Sequence, residues 1–213
     1  MKRTTKLTLL TASLLSALAL TSTSYGNTVF GSGSLTTSDS TFDHPRLTAA
    51  APNNLHYYDL VQFTVSASGT YTFELASMNT TGNPSNALDT YLLLYANSFN
   101  PLAPTGDIAF NDDFTGALTV LGGSGTGFTG AMPASRIANL ALTAGTQYFM
   151  VVTSFRPTTF VGTGTTAQPT GAYNYGITGP GDITVVPEPG TTALFVMAGG
   201  ALAAYAFRKR RLV

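Results

Sequence analysis

The chain has no cysteine and no tryptophan, and charged residues make up only 9% of its 213 positions. Without cysteine there is no disulfide framework, no thiolate metal ligand and no thiol nucleophile, and the redox compartment stays open. Basic residues are scarcest in the middle. Between Asn27 and Glu188 only Arg46, Arg136 and Arg156 are basic, against ten carboxylates. The formal net charge of zero hides this segregation, because the remaining positive charge sits at the ends: Lys2, Arg3 and Lys6, then Arg208, Lys209, Arg210 and Arg211. An acidic body of this kind is repelled by phosphate backbones, which sets nucleic acid aside as a partner. Histidine is nearly absent too. His44 and His56 are the only two and form no HExxH, and the chain has no GxSxG, Walker loop or dinucleotide fingerprint. Asp43 and His44 are adjacent, but neighbours in an extended chain point to opposite faces and Pro45 follows, so a surface turn is the simpler reading. Serine and threonine are plentiful without an identifiable base, so the chain reads as non-enzymatic. Paired carboxylates far apart in sequence, as in glycoside hydrolysis, are the catalytic alternative.

Both termini carry what the body lacks. Residues 1–26 read as a signal peptide: three positive charges, then the apolar run Leu7 to Leu20, then the small and polar residues "TSTSYG". Cleavage after Gly26 puts Ser24 and Gly26 at the small-residue positions, with cleavage after Ala19 as the rival. At the other end, Gly190 to Phe207 is 18 residues without a charge. A helix of that length is roughly 27 Å long, close to the roughly 30 Å hydrocarbon core of a bilayer. Arg208, Lys209, Arg210 and Arg211 fix its orientation, placing residues 208–213 as a cytoplasmic tail and the acidic body outside.

The body alternates. In "YYDLVQFTV" (Tyr57 to Val65) the residues Tyr57, Asp59, Val61, Phe63 and Val65 share one face, and in "TYTFELAS" Tyr71, Phe73 and Leu75 oppose Thr70, Thr72 and Glu74. Period-two patterns of this length predict half-buried strands. "TYLLLYAN" (Thr90 to Asn97) is uniformly apolar, as a central strand is. Further strands are expected at 107–111, 117–121, 136–142, 146–155 and 172–178. Glycine and proline punctuate these runs and no segment has a 3.6 period, so the fold class is all-β, an antiparallel, jelly-roll-like β-sandwich. It is flanked by the signal helix and the transmembrane helix. The expected organisation is an irregular lead-in at 27–54 with one edge strand near Thr28 to Phe30, the sandwich at 55–181, a linker at 182–189 and the span at 190–207. Two Gly/Thr-rich stretches, 121–135 and 161–171, are expected to be surface loops. "SASGTYTFELAS" and "LTAGTQYFMVVTS" resemble each other, more simply as a shared way of starting a hairpin strand than as an internal repeat.

One group of carboxylates stands out: Asp89 in "ALDTYLLLY" with Asn111, Asp112 and Asp113 in "FNDDF". A hard cation such as calcium takes six to eight oxygens, and adjacent carboxylates repel one another unless a cation offsets them. A turn that bonds its own backbone is the competing and commoner reading of Asn-Asp-Asp. Tyr57, Tyr58 and Tyr173 offer stacking surfaces for sugars, although aromatic residues in strands are mostly core.

The last 28 residues or so, "VPEPGTTALFVMAGGALAAYAFRKRR", resemble a PEP-CTERM sorting signal, with Pro187, Glu188 and Pro189 as its motif, then the helix, then Arg208 to Arg211. That resemblance implies a substrate of an exosortase-type processing enzyme in a Gram-negative bacterium. It also implies a link to exopolysaccharide and biofilm matrix. The body, through "YYDLVQFTVSASGTYTFEL", "LDTYLLLY", "IAFNDD", "SRIANLALTAGTQYFMVVTSF" and "GAYNYGITG", resembles the bacterial pre-peptidase C-terminal domain, a β-sandwich. Some relatives of that domain hold calcium and bind matrix polymers, which implies calcium for Asp89, Asn111, Asp112 and Asp113. No peptidase precedes the domain here. The expectation is a non-enzymatic, exported, adhesive or structural protein, held first at the inner membrane and then at the cell surface or in the matrix. Its partners would be an exosortase, the membrane, and extracellular polysaccharide or matrix protein. A secreted hydrolase and a calcium-stabilised binding module are the alternatives.

Overall fold

The computed structural model describes residues 27–47, 54–78, 87–122, 134–161 and 167–186. The expected signal peptide, Pro187 to Pro189, the membrane span, the basic tail and the centres of both Gly/Thr-rich loops lie outside them. The described residues form ten strands: β1 (Asn27–Leu35), β2 (Thr41–Asp43), β3 (Leu55–Val65), β4 (Gly69–Ser77), β5 (Thr90–Ala96), β6 (Ala109–Asn111), β7 (Ser135–Leu142), β8 (Gln147–Ser154), β9 (Gly171–Gly179) and β10 (Ile183–Val186). Among the described residues no helix is long and apolar enough to cross a membrane.

The strands form two sheets. One runs β1-β9-β4-β7; the other runs β10-β3-β8-β5-β6, with β2 also on β3. Every pairing between named strands is antiparallel. Successive strands mostly cross from one sheet to the other, which gives a β-sandwich-like, jelly-roll-like connectivity. The alternation read from sequence sets what lies between the sheets. Val61, Phe63 and Val65 of β3 meet Tyr71, Phe73 and Leu75 of β4 in one core, with Leu92 and Leu94 of β5 and Met150 and Val152 of β8.

The uniformly apolar β5 is buried along six of its seven residues. Its second face packs Tyr91, Leu93 and Tyr95 with Val151 of β8 against Phe42, Tyr58 and Phe99. The cover on that side comes largely from residues expected to be irregular. β2 carries Phe42 into this second cluster, and β1 is a nine-residue edge strand rather than a fragment near Phe30. The expected linker also contains a strand, because Ile183 and Val185 continue the inward apolar row and β10 pairs with β3. Gly31 and Gly33 of β1 are required by close approach. A Cβ on either would lie 2.3 Å from the side chain of Tyr175 or Tyr173, whose rings cross beneath the strand.

The two similar segments do the same job. Each turn carries the chain from one sheet to the other, so they start arches and not hairpins. The arches interlock, since β3 pairs with β8 and β4 with β7. Their turns bond directly, Gly145 N–H to Val65 O at 2.9 Å and Ala144 N–H to Ser68 Oγ at 2.9 Å.

The segment 117–121, expected as a strand, is irregular, and Glu74 explains it. Glu74 lies on the outer face of β4 yet is fully buried. Its carboxylate accepts the backbone N–H of Thr119 (2.8 Å), Val120 (2.9 Å) and Leu121 (2.8 Å), and Arg136 Nε lies 3.2 Å away. Those amides point at one anion instead of a neighbouring strand. Replacing the anion leaves three donors and a partly buried guanidinium without it. Glu74→Ala is therefore expected to cost about 3 kcal/mol or more in urea denaturation. A loss below about 1 kcal/mol would mean the loop is held by other contacts.

Candidate metal centre

The start of β5 and the end of β6 lie side by side because Leu92 to Leu94 pair with Asn111 to Ala109. Asp89 therefore precedes β5 next to the point where Asp112 and Asp113 follow β6. Carboxylate oxygens of Asp89, Asp112 and Asp113 all lie within 4.8 Å of one another. Asp89 is buried, Asp112 half-buried and Asp113 exposed. Its backbone fixes Asp89 further: Phe155 N–H donates to Asp89 O at 2.9 Å, and Asp89 N–H reaches Gln168 O at 3.4 Å. Ser135, fully buried at the start of β7, welds the two sides by contacts to Thr90 O (2.9 Å) and Asp112 O (2.8 Å).

Asn111, the fourth expected ligand, ends β6 directly before Asp112. Its side-chain oxygen accepts the backbone N–H of Arg136 at 2.7 Å, so it secures β7 to β6. Beside Asp89 the structure brings a residue that no local pattern marked. Arg156 Nε lies 2.9 Å from Asp89 Oδ2. The guanidinium lies over two aromatic rings, 5.2 Å from the Phe155 centroid and 4.8 Å from that of Phe160. Such cation–π contacts hold a charged group in place at modest desolvation cost. Arg156 follows β8, far from Asp89 in the chain, and only the β5–β8 pairing makes them neighbours.

Among the described residues one cation faces three carboxylates, which leaves an excess of negative charge. Burial, followed by Asp113 and Asp89, pushes the Asp112 carboxyl up to about 7, with Arg156 opposing the shift. Asp89 is raised by burial first; Arg156 lowers it and Asp113 raises it. Asp112 Oδ1 is buried and has no hydrogen-bond partner among the described residues. Three carboxylates at this spacing suit a hard divalent cation, which would take oxygens from Asp89, Asp112 and Asp113.

The histidines are not part of this chemistry. His44 follows β2 with its ring buried, 4.4 Å from Tyr91 and 5.0 Å from His56 between centroids. Asp43 is exposed, so the two neighbours face opposite ways and form no acid–base couple. The residue expected in a surface turn is instead an interior one. Burial, then His56, lowers the His44 pKa to about 3. His56 contacts Ser154 O at 2.8 Å and Asn54 Oδ1 at 3.0 Å, tying the segment before β3 to the end of β8. Of the candidate sugar-stacking tyrosines, Tyr173 is interior and Tyr57 and Tyr58 are half-buried. Tyr173 is buried and donates to Asp59 Oδ2 at 2.7 Å across the two sheets, while Tyr58 packs edge-on against Phe42 and Phe99.

The described residues thus define an all-β, antiparallel two-sheet body with a cluster of acidic groups at one end of the larger sheet. Residues 185–211 match the PEP-CTERM protein-sorting motif, beginning inside β10. The chain carries a sorting signal of the kind processed by exosortase, and that signal marks it as exported with a C-terminal membrane-anchoring segment. No curated protein matches the chain in sequence.

The Asp112 shift has a direction that can be checked. Its folded pKa lies above the ordinary 3.8, so the folded state gains stability from the protonated form at acid pH. That gain is complete below about pH 4 and is lost as pH rises through about 7. Without divalent cations, Asp112→Asn is expected to be more stable than the parent at pH 8 and to lose the advantage at pH 4. Urea midpoints at both pH values test this. An equal offset at both would show that the carboxyl titrates normally.

Proposed function

We propose that the protein is a non-enzymatic surface or matrix component of a Gram-negative cell envelope, delivered by its sorting signal to an adhesive or structural role among extracellular polysaccharides. The observation that carries this reading is the sorting motif, which begins within the last strand of the folded body. Such a signal addresses its carrier to the envelope and supplies no chemistry of its own. The acidic body supports the reading, since it suits a partner without phosphate, such as a neutral polymer or a basic protein surface. The resemblance of the body to the pre-peptidase C-terminal domain, a binding accessory elsewhere, supports it too. In intact cells the mature chain is expected to have lost Arg208 to Arg211. Glu188→Ala is expected to accumulate the unprocessed mass in the inner membrane. Deleting the gene should lower retention of cells in the matrix several-fold. An unprocessed tail in the parent strain would leave a simple membrane anchor. Hydrolysis of a polysaccharide panel, abolished by Asp112→Asn, would replace the adhesive role with a hydrolytic one.

A second reading rests on the acidic cluster: the body is a binding module stabilised by calcium at Asp89, Asp112 and Asp113. Calcium at 100 times its Kd is expected to add about 2.7 kcal/mol of stability. Asp113→Asn should abolish most of that gain without unfolding the body, because Asp113 is exposed. If EDTA leaves the melting temperature unchanged relative to millimolar calcium, this reading fails.

A further inference from the structure

The segment that covers the outer face of β5 is seated on two buried histidines. Phe42 of β2 enters the second apolar cluster, and His44 follows two residues later on the same side. His44 is 3% exposed and His56 1%, and their ring centroids lie 5.0 Å apart. Among the described residues neither ring forms an ion pair. Residues 41–47 are also held by the pairing of β2 with β3 and by Arg46 on Asp107. Asn54 Nδ2 adds bonds to the carbonyls of His44 (3.2 Å) and Leu47.

The two rings are wired differently. Arg46 N–H donates to His44 Nδ1 at 3.2 Å, so that nitrogen keeps its lone pair and the ring proton sits on Nε2. Nε2 is buried and has no hydrogen-bond partner among the described residues, and the ring lies edge-on to Tyr91, 4.4 Å between centroids. A second proton on His44 could go only to Nδ1. There it would meet the Arg46 N–H donor against donor, away from water and beside another imidazole. His56 is the opposite case. Its Nδ1 faces Ser154 O at 2.8 Å and its Nε2 faces Asn54 Oδ1 at 3.0 Å, and both oxygens are acceptors. His56 has a place for a second proton; His44 has none.

The surrounding charges leave His44 without compensation. On its own segment Asp43 is exposed and acts on His56, and the Arg46 guanidinium is turned to Asp107 and Phe110. From β5, Tyr91 stays neutral, its pKa pushed up to about 12 by burial first and then by Asp112. After β8, Arg156 is engaged with Asp89. Burial lowers His56 too, with backbone bonds to Ser154 and Arg156 and the charge of Asp43 opposing.

We propose that His44 is an acid-sensitive latch: neutral, it holds residues 41–47 over the outer face of β5, and its protonation releases them while the two-sheet core stays folded. The division of the apolar residues permits this. Phe42 and Leu47 belong to the outer cluster, whereas among the described residues the core between the sheets takes none from 41–47. A cover built in this way can open below the cost of global unfolding. A docked His44 titrates at about 3 and a released one near the ordinary 6.5, so the released segment takes the proton first. The advantage of docking is complete above about pH 7 and is lost as pH falls from 6.5 toward 3, by up to about tenfold in released population per pH unit. Asp112 titrates in the opposite sense, because its protonation favours the folded form, and it does not account for a loosening in acid.

The latch is independent of the adhesive role and of the acidic cluster. The full-length chain has no native cysteine, so single buried thiols report its opening. Val151→Cys places one in the outer cluster and Val152→Cys one in the inner core, on opposite faces of β8. Alkylation rates are measured at pH 7 and pH 5, each divided by the rate of the urea-unfolded chain at the same pH. The Val151→Cys ratio is expected to rise about twentyfold or more on acidification and, at pH 5, to exceed the Val152→Cys ratio at least about tenfold. Adding His44→Phe, which keeps an aromatic ring and removes the titration, is expected to bring the rise below about fivefold. The proposal is overturned if the Val151→Cys ratio does not respond to pH, if both thiols react equally at pH 5, or if the rise survives in His44→Phe. Ring ¹H–¹⁵N correlations of the parent at pH 5 test the latch without any substitution. They are expected to show His44 neutral with its proton on Nε2, and a doubly protonated His44 in the folded chain overturns the latch.

Discussion

The fold depends on one constraint: β5 is apolar on both faces and both have to be covered. A strand reading Thr-Tyr-Leu-Leu-Leu-Tyr-Ala has no face to give to water. One side is covered by the smaller sheet through Leu92 and Leu94, and the other by Phe42, Tyr58 and Phe99. That second cover draws β2 and the residues around it into the body. It also brings Arg46 to Asp107 at 2.9 Å and sets its guanidinium 4.5 Å over Phe110. The acidic cluster sits at the start of the same strand, and the apolar residues of β5 carry Asp89 into the interior with them.

Polar groups are buried at a few places, each with a clear role. Glu74 gathers three loop amides, Ser135 joins β5 to the end of β6, and Tyr173 bridges the sheets to Asp59. In a body with so few charges, such contacts define unique positions that apolar packing alone leaves degenerate. The cluster of Asp89, Asp112 and Asp113 is the exception, because one guanidinium does not balance it. A group that gains nothing from staying ionised and buried is where a bound cation would change stability most.

Much of the fold was legible in the sequence. The alternation in Tyr57 to Val65 and Thr70 to Ser77 fixed which residues face inward, because the two faces of a strand have different solvents. The apolar run of Thr90 to Asn97 marked the strand buried on both sides. What misled was polarity read as irregularity. β1, "NTVFGSGSL", looks like lead-in because two of its inward positions, Gly31 and Gly33, are glycines, and they are glycines because tyrosine rings from β9 cross beneath them. Ala117 to Leu121 has a strand-like composition, but its amides are claimed by a carboxylate from another strand. His44 looked like part of a surface turn, and only the packing of Phe42 and Tyr91 around it made it interior.

By itself the sequence determined the address: export, a sorting tripeptide, an apolar span and a basic tail are linear signals, and linear order is all they need. It also determined the all-β class, since periodicity is local. The tertiary structure alone decided which charges meet. Asp89, Asp112 and Arg156 are far apart in the chain, and only the pairing of β6, β5 and β8 converts that separation into contact. It likewise gave the Asn111 side-chain oxygen to the Arg136 amide of another strand. Charge interactions fall off with distance in space, not in sequence, and no linear pattern encodes them.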